Sequence, residues 1–172
     1  MNLDLLLEFY TLKDIPRAGW IRKDILQPES VAAHSWGVAW LCLSLCPKTL
    51  DLNRVLAMAL VHDLTEARTG DITPYDNIDT NTKHSLERKA AEDLFSKQPQ
   101  TADLWTEYID HQTPESEFVH QIDKLDMAIQ ALQYFRQTGI DTTEFITSAA
   151  QGISLPSIRK ILQEITHEMR RL

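Results

Sequence analysis

Residues 115–137 carry Phe118, Val119, Ile122, Leu125, Ile129, Leu132 and Phe135. Steps of three and four sustained over this length write one apolar stripe along a single long helix, which Gly139 closes. The rest of the chain keeps the same period. Residues 2–11 place Leu3, Leu5, Leu6, Phe9 and Tyr10 on a short amphipathic helix. Gln27-Pro28-Glu29-Ser30 opens a helix that runs through Val38, Trp40, Leu41, Leu43 and Leu45 to Cys46, where Pro47 ends it. Pro28 and Glu29 suit its first turn, and Ser30 is a second capping choice. Asp51 starts the next helix, residues 80–97 and 101–112 give two more, and a last one begins near Ser157 with Ile158, Ile161, Leu162, Ile165 and Met169 at helical spacing. No segment alternates in the β manner. The expectation is an all-α helical bundle of six to eight helices forming one domain over 1–172.

Composition narrows the function classes. The 172 residues are 43% apolar and 24% charged, ordinary for a globular chain with a sizeable core. A net charge of -8 argues against a nucleic-acid partner. No apolar run approaches the roughly 20 residues of a membrane span, and no basic segment precedes the apolar N-terminal stretch, so a cytoplasmic protein with no membrane partner is expected. Cys42 and Cys46, four apart, read as two small buried apolar residues.

The apolar run Val55–Val61 ends in His62-Asp63, with Glu66 one turn on and Gly70-Asp71 beyond. An imidazole and a carboxylate at the end of such a run are costly to bury unless something satisfies them, and a bound divalent cation would satisfy both. This is not the His-Glu-x-x-His pattern of metalloproteases, because position 66 is a carboxylate and position 63 is not a glutamate. His34, taken alone, reads as a structural histidine. Residues 15–23 hold Arg17, Arg22, Lys23 and Trp20 around Pro16 and Gly19, which disfavour a helix. Composition favours a solvated loop with Trp20 tucked into the core; an anion-binding loop is the other reading. Residues 69–77 read as a turn-rich loop that leaves Asp71 and Asp76 exposed.

The ordered set His34, His62-Asp63, Asp123 resembles the HD-domain metal-dependent phosphohydrolases, and is closer to the branch of 5'-nucleotidases of the bacterial YfbR and eukaryotic HDDC2 type. The segments that carry the resemblance are Arg17-Ala18-Gly19-Trp20, Pro28-Glu29-Ser30-Val31-Ala32-Ala33-His34-Ser35, Val61-His62-Asp63-Leu64-Thr65-Glu66, Gly70-Asp71-Ile72-Thr73-Pro74, Lys83-His84 and Gln121-Ile122-Asp123-Lys124-Leu125-Asp126. They span roughly residues 10–135. Tyr75 and Ala33 depart from some relatives.

The resemblance implies that His34, His62, Asp63 and Asp123 hold one divalent transition metal. Two imidazoles and two carboxylates suit Mn²⁺, Co²⁺, Fe²⁺, Ni²⁺ or Zn²⁺ better than Ca²⁺. Such an ion lowers the pKa of its water and polarises the electrophile. Glu66 would act on that water as base or orienting partner, and Asp71 would position substrate or share the proton work. Arg17 would bind the 5'-phosphate and Trp20 would shape the pocket, with the roles of Arg22 and Lys23 left open. Glu87 reads as an exposed helix carboxylate; the alternative joins it to Glu66 and Asp71 around a second, weaker Mg²⁺. His84 would support the site, while His111, His120 and His167 read as surface or structural residues. The expected reaction is hydrolysis of a nucleoside 5'-monophosphate, a deoxynucleotide by preference, to nucleoside and phosphate. The rivals are another HD-type hydrolase, acting on triphosphates, cyclic nucleotides or a non-nucleotide monoester, and a non-catalytic metal-containing nucleotide-binding regulator; intact Glu66 and Asp71 weigh against the last. A homodimer is also implied, with the C-terminal stripe offering a surface unless it closes the core.

Overall fold

A computed structural model describes residues 3–171. Among them are eight α-helices of two turns or more and two single-turn α-helices: α1 (Leu3–Tyr10), α2 (Ala18–Ile21), α3 (Val31–Leu45), α4 (Leu52–Val61), α5 (Glu66–Thr69), α6 (Thr80–Leu94), α7 (Pro99–Ile109), α8 (Pro114–Thr138), α9 (Thr143–Gly152) and α10 (Pro156–Arg171), with 3₁₀ turns at Thr11–Lys13 and Pro74–Asp76. The described residues contain no β-strand, only an isolated antiparallel bridge between Pro16 and Ser30.

The long helix predicted around 115–137 is α8, and the others are arranged about it. It packs against α3, α4, α7, α9 and α10. Thr113 and Ser116 cap it reciprocally, Pro114 sits in its first turn, and Gly139 ends it with φ +72°, a backbone region that favours glycine. Phe118, Val119, Ile122, Leu125, Ala128 and Ala131 are buried along it and meet Val38, Cys42, Val55 and Met58 of α3 and α4. A smaller cluster of Ala90, Ala91, Leu94, Phe95 and Trp105 joins α6 to α7. Ile122 is fully buried in the N-terminal half of α8. Ile122→Ala should cost about 2–5 kcal/mol by thermal or urea denaturation, and a loss below about 1 kcal/mol would mean α8 is not the central element.

Several local expectations need correction. The third helix starts at Val31, not in the Pro28-Glu29 turn, and Ser30 is its N-cap, accepting from the Ala33 N–H. Residues 29–31 are held extended because the Arg17 N–H donates to the Glu29 carbonyl and the Val31 N–H to the Ile15 carbonyl. Between Pro16 and the turn at Asp24, one helical turn, α2, forms where a loop is predicted. Cys46 is only half-buried, whereas Cys42 is fully enclosed, and both are free thiols. The C-terminal stripe is spent on the core: Ile158, Leu162, Ile165 and Met169 are all buried. The exposed apolar side chains lie elsewhere, with Trp36, Trp40 and Leu43 on the outward side of α3. No described helix is long and apolar enough to cross a membrane.

Candidate metal centre

His34 lies in the first turn of α3 and His62 at the C-terminal end of α4, and packing brings the two rings within 5.5 Å, edge to face. Each ring is held by its Nδ1. His34 Nδ1 lies 2.7 Å from Asp126 Oδ2, and His62 Nδ1 lies 2.8 Å from the Ala59 carbonyl. A carboxylate and a carbonyl only accept, so both imidazoles carry a proton on Nδ1 and turn Nε2 toward the carboxylates of the cluster. Both Nε2 atoms are buried and have no hydrogen-bond partner.

What they face instead is carboxylate. His34 Nε2 is 3.1 Å from Asp123 Oδ1 and 3.7 Å from Asp63 Oδ2, and His62 Nε2 is 3.2 Å from the same Asp63 oxygen. Lone pairs that meet at these distances repel unless a positive charge sits among them. Burial and Arg17 oppose protonation of His34, yet Asp123 and Asp126 outweigh them and push its pKa up to about 10. The cluster therefore holds either a proton or a cation. Donor atoms of His34, His62 and Asp123 all fall within 4.8 Å of one another, a spacing a single metal ion can span, with Asp63 alongside. The donor set, two neutral imidazole nitrogens and carboxylate oxygen, is one that borderline divalent ions take.

The neighbouring acids are driven apart. Despite burial, His62, Arg17 and His34 hold the Asp63 carboxyl well below the usual carboxylate range, and Lys124 with both histidines does the same for Asp123. Glu66 goes the other way: burial, then Asp63 and Asp71, raise it well above the ordinary value. It is 5% exposed, and one of its oxygens has no partner. A high-pKa carboxyl beside two low ones is the pattern of a proton-handling group next to a cation-binding pair.

Arg17 joins these groups. Its Nη1 is 3.4 Å from Asp63 Oδ2 and 3.7 Å from Asp71 Oδ1. Asp71 is not exposed as expected: only 10% of its side chain is accessible, because it accepts the Ala18 N–H at 2.7 Å and so ties the loop after α5 to the start of α2. Asp76 is exposed, as predicted. Glu87 is also corrected, being 7% exposed rather than a solvated carboxylate; α6 turns it inward, 3.6 Å from Lys83, whose ammonium donates to the Ile72 carbonyl. Trp20 is buried, meets Tyr134 edge to face and Phe145 at a tilt, and donates its indole N–H to Glu29.

These groups line one cleft of about 630 Å³, within the range of small-molecule sites. Arg17, His62, Asp63, Glu66, Asp71 and Asp123 all reach it, and Trp20 and Glu87 form parts of its wall. His34 lies behind the cleft.

The sequence matches the HD domain family over residues 9–166. The chain belongs to the HD domain family. Among HD-domain relatives, it is 35% identical to the protein named 5'-deoxynucleotidase HDDC2 from Xenopus laevis, over 91% of this chain and 82% of that one. It is 32% identical to 5'-deoxynucleotidase hdd1 from Schizosaccharomyces pombe, over 91% and 84%. A solved structure of a conserved hypothetical protein from Pyrococcus furiosus superposes with a TM-score of 0.82 at 34% identity, covering 99% of this chain and 100% of that one.

The HD domain also contains site residues that the sequence reading passed over. Tyr108 stacks edge-to-face on His62 and reaches the cleft, as does His120, whose Nε2 donates to the Tyr108 carbonyl. Of the two readings of His120, surface or structural, the structural one fits: it is part of the wall, and burial lowers its pKa to about 4. Asp126 is three residues beyond Asp123, a spacing visible in the sequence that carried no assigned role. Arg22 pairs with Asp76 and Lys23 with Glu144, and neither lines the cleft. His84 lies on the cleft rim and His111 is exposed, paired with Glu117.

Proposed function

We propose that this HD-domain protein hydrolyses deoxynucleoside 5'-monophosphates to nucleoside and phosphate. The observation that carries the reading is the pair of buried imidazole Nε2 atoms, without hydrogen-bond partners, set against two low-pKa carboxylates beside a cleft that also holds Glu66 and Arg17. The relatives' shared name, 5'-deoxynucleotidase, supplies the substrate class.

In this reading His34, His62, Asp63 and Asp123 hold one divalent ion, with Mn²⁺, Co²⁺, Fe²⁺, Ni²⁺ and Zn²⁺ all compatible with the donors. When bound, the ion supplies Lewis-acid stabilisation of the phosphoryl oxygens and a polarised water. Arg17 shifts from its carboxylate partners to the phosphate, where its guanidinium offers paired donors. Glu66, kept basic by its surroundings, takes the proton from the attacking water. Asp71 holds the backbone of α2 and thereby the Arg17 side chain. Trp20 fixes the wall through Glu29 and Phe145. A second, weaker Mg²⁺ would draw on Glu66, Asp71 and Glu87, all of which reach the cleft.

The test is phosphate release from a panel of nucleoside mono-, di- and triphosphates, cyclic nucleotides and simple phosphomonoesters, after chelation and re-addition of each metal in turn. Release from deoxynucleoside monophosphates in preference to the rest is expected. Tight nucleotide binding with no release under any metal would overturn the reading. Arg17→Ala should lower kcat/KM by about 10²–10³-fold, and equal kinetics in variant and parent would remove Arg17 from the phosphate site.

A further inference from the structure

Two histidines of the site need an acceptor at Nδ1, and the fold gives them different ones. His62 stands at the C-terminal end of α4, where the last carbonyls of a helix have no intrahelical donor, and Ala59 O supplies the acceptor locally. His34 stands in the first turn of α3, where the unsatisfied groups are N–H donors. The carbonyls before it already accept helical N–H groups or the Ser35 hydroxyl, and the acceptor for its proton comes from another element. Asp126 of α8 supplies it at 2.7 Å. Asp126 lies one turn beyond Asp123, so one face of α8 delivers both a carboxylate for the cation cluster and a carboxylate that orients a histidine of that cluster. Glu29 also comes near this group, but it accepts the Trp20 indole N–H.

The approach of Asp126 is close. A Cβ built on Gly37, three residues after His34 on the same face of α3, would fall 2.2 Å from Asp126 Oδ1 and 3.1 Å from its Cγ. Gly37 has ordinary helical backbone, so its lack of a side chain serves space and not conformation. A mid-helix glycine costs about 1 kcal/mol against alanine.

We infer that Gly37 and Asp126 are one positioning device: the glycine leaves the space through which the Asp126 carboxylate reaches His34 Nδ1 and keeps Nε2 aimed at the metal. The inference rests on the reading of His34 as a ligand. Asp126 is a positioning residue, since it acts only through His34. Alanine at 37 meets the end of a short side chain, so the group that yields is the Asp126 carboxylate, and the hydrogen bond to His34 is lost with it.

The experiment measures affinity for Co²⁺ and Zn²⁺ by chelator competition, together with thermal melting of the metal-free protein, for His34→Ala, Asp126→Asn, Asp126→Ala, Gly37→Ala and the Gly37→Ala/Asp126→Ala pair. His34→Ala should abolish tight binding. Asp126→Ala should weaken binding about 10–100-fold. Asp126→Asn keeps an acceptor oxygen and should lose less than about tenfold. Gly37→Ala should match Asp126→Ala, and the double variant should be no worse than either, because both remove one contact. In metal-free melts Gly37→Ala should lower the Tm, and adding Asp126→Ala should restore it. Unchanged affinity in Asp126→Ala with loss in His34→Ala would overturn the device while keeping the ligand. Unchanged affinity in His34→Ala would overturn the ligand reading itself. Losses in Gly37→Ala and Asp126→Ala that multiply in the double variant would show two independent effects. Should Asp126→Ala fail to fold, Gly37→Ala and Asp126→Asn carry the same test.

Discussion

Glu66→Gln is expected to lower kcat by about 10²–10⁴-fold, the range for loss of a general base, while leaving the metal bound. The amide keeps the size of the side chain and its place at the start of α5 but cannot take a proton. Glu66 suits this role because its environment separates it from its neighbours: Asp63 and Asp123 stay ionised against the histidines, whereas burial and the two nearby acids make the Glu66 carboxylate a stronger base than a solvated one. The measurement is single-turnover phosphate release beside metal content. A variant that keeps its metal and its full rate would remove Glu66 from the proton transfer; one that loses its metal would make Glu66 a ligand.

Asp63→Ala should lose both. Its Oδ2 approaches both imidazole Nε2 atoms and the Arg17 guanidinium, so removal opens the cation cluster and leaves Arg17 with Asp71 as its remaining close carboxylate. A metal present at 100 times its Kd stabilises the parent by about 2.7 kcal/mol. That metal-dependent rise in Tm should vanish in Asp63→Ala, together with turnover. A normal shift on adding metal would show that three ligands suffice.

The helices were readable where apolar stripes were long. Residues 115–137, 51–61 and the C-terminal segment announce themselves by period. The helix at 143–152 does not, because Thr143-Glu144-Phe145-Ile146-Thr147-Ser148-Ala149-Ala150-Gln151-Gly152 buries little more than Ile146 and Ala149 and is rich in weak helix formers. The start of α3 was misplaced because Pro28-Glu29 has first-turn chemistry, and what keeps it out of the helix is a backbone pairing with residues 15–17, distant in sequence. His62-Asp63 stood out on polarity alone. Asp123 did not: 25 acidic residues compete for the role, and only the ordered motif set singled it out. The inward turn of Asp71 and Glu87 depends on what packs over them, which composition does not encode.

The proposed ligand positions would also set an order of events during synthesis. A chain leaving the ribosome amino end first exposes His34, then His62-Asp63, and must add some sixty residues before Asp123 appears. Asp126, which aligns His34, follows three residues later. A nascent chain thus offers a passing ion only an incomplete and unaligned set. On the proposed ligand set, the full site would form only when α8, the central helix of the fold, has docked against α3, so metal capture would come late and mark a chain whose central helix is in place.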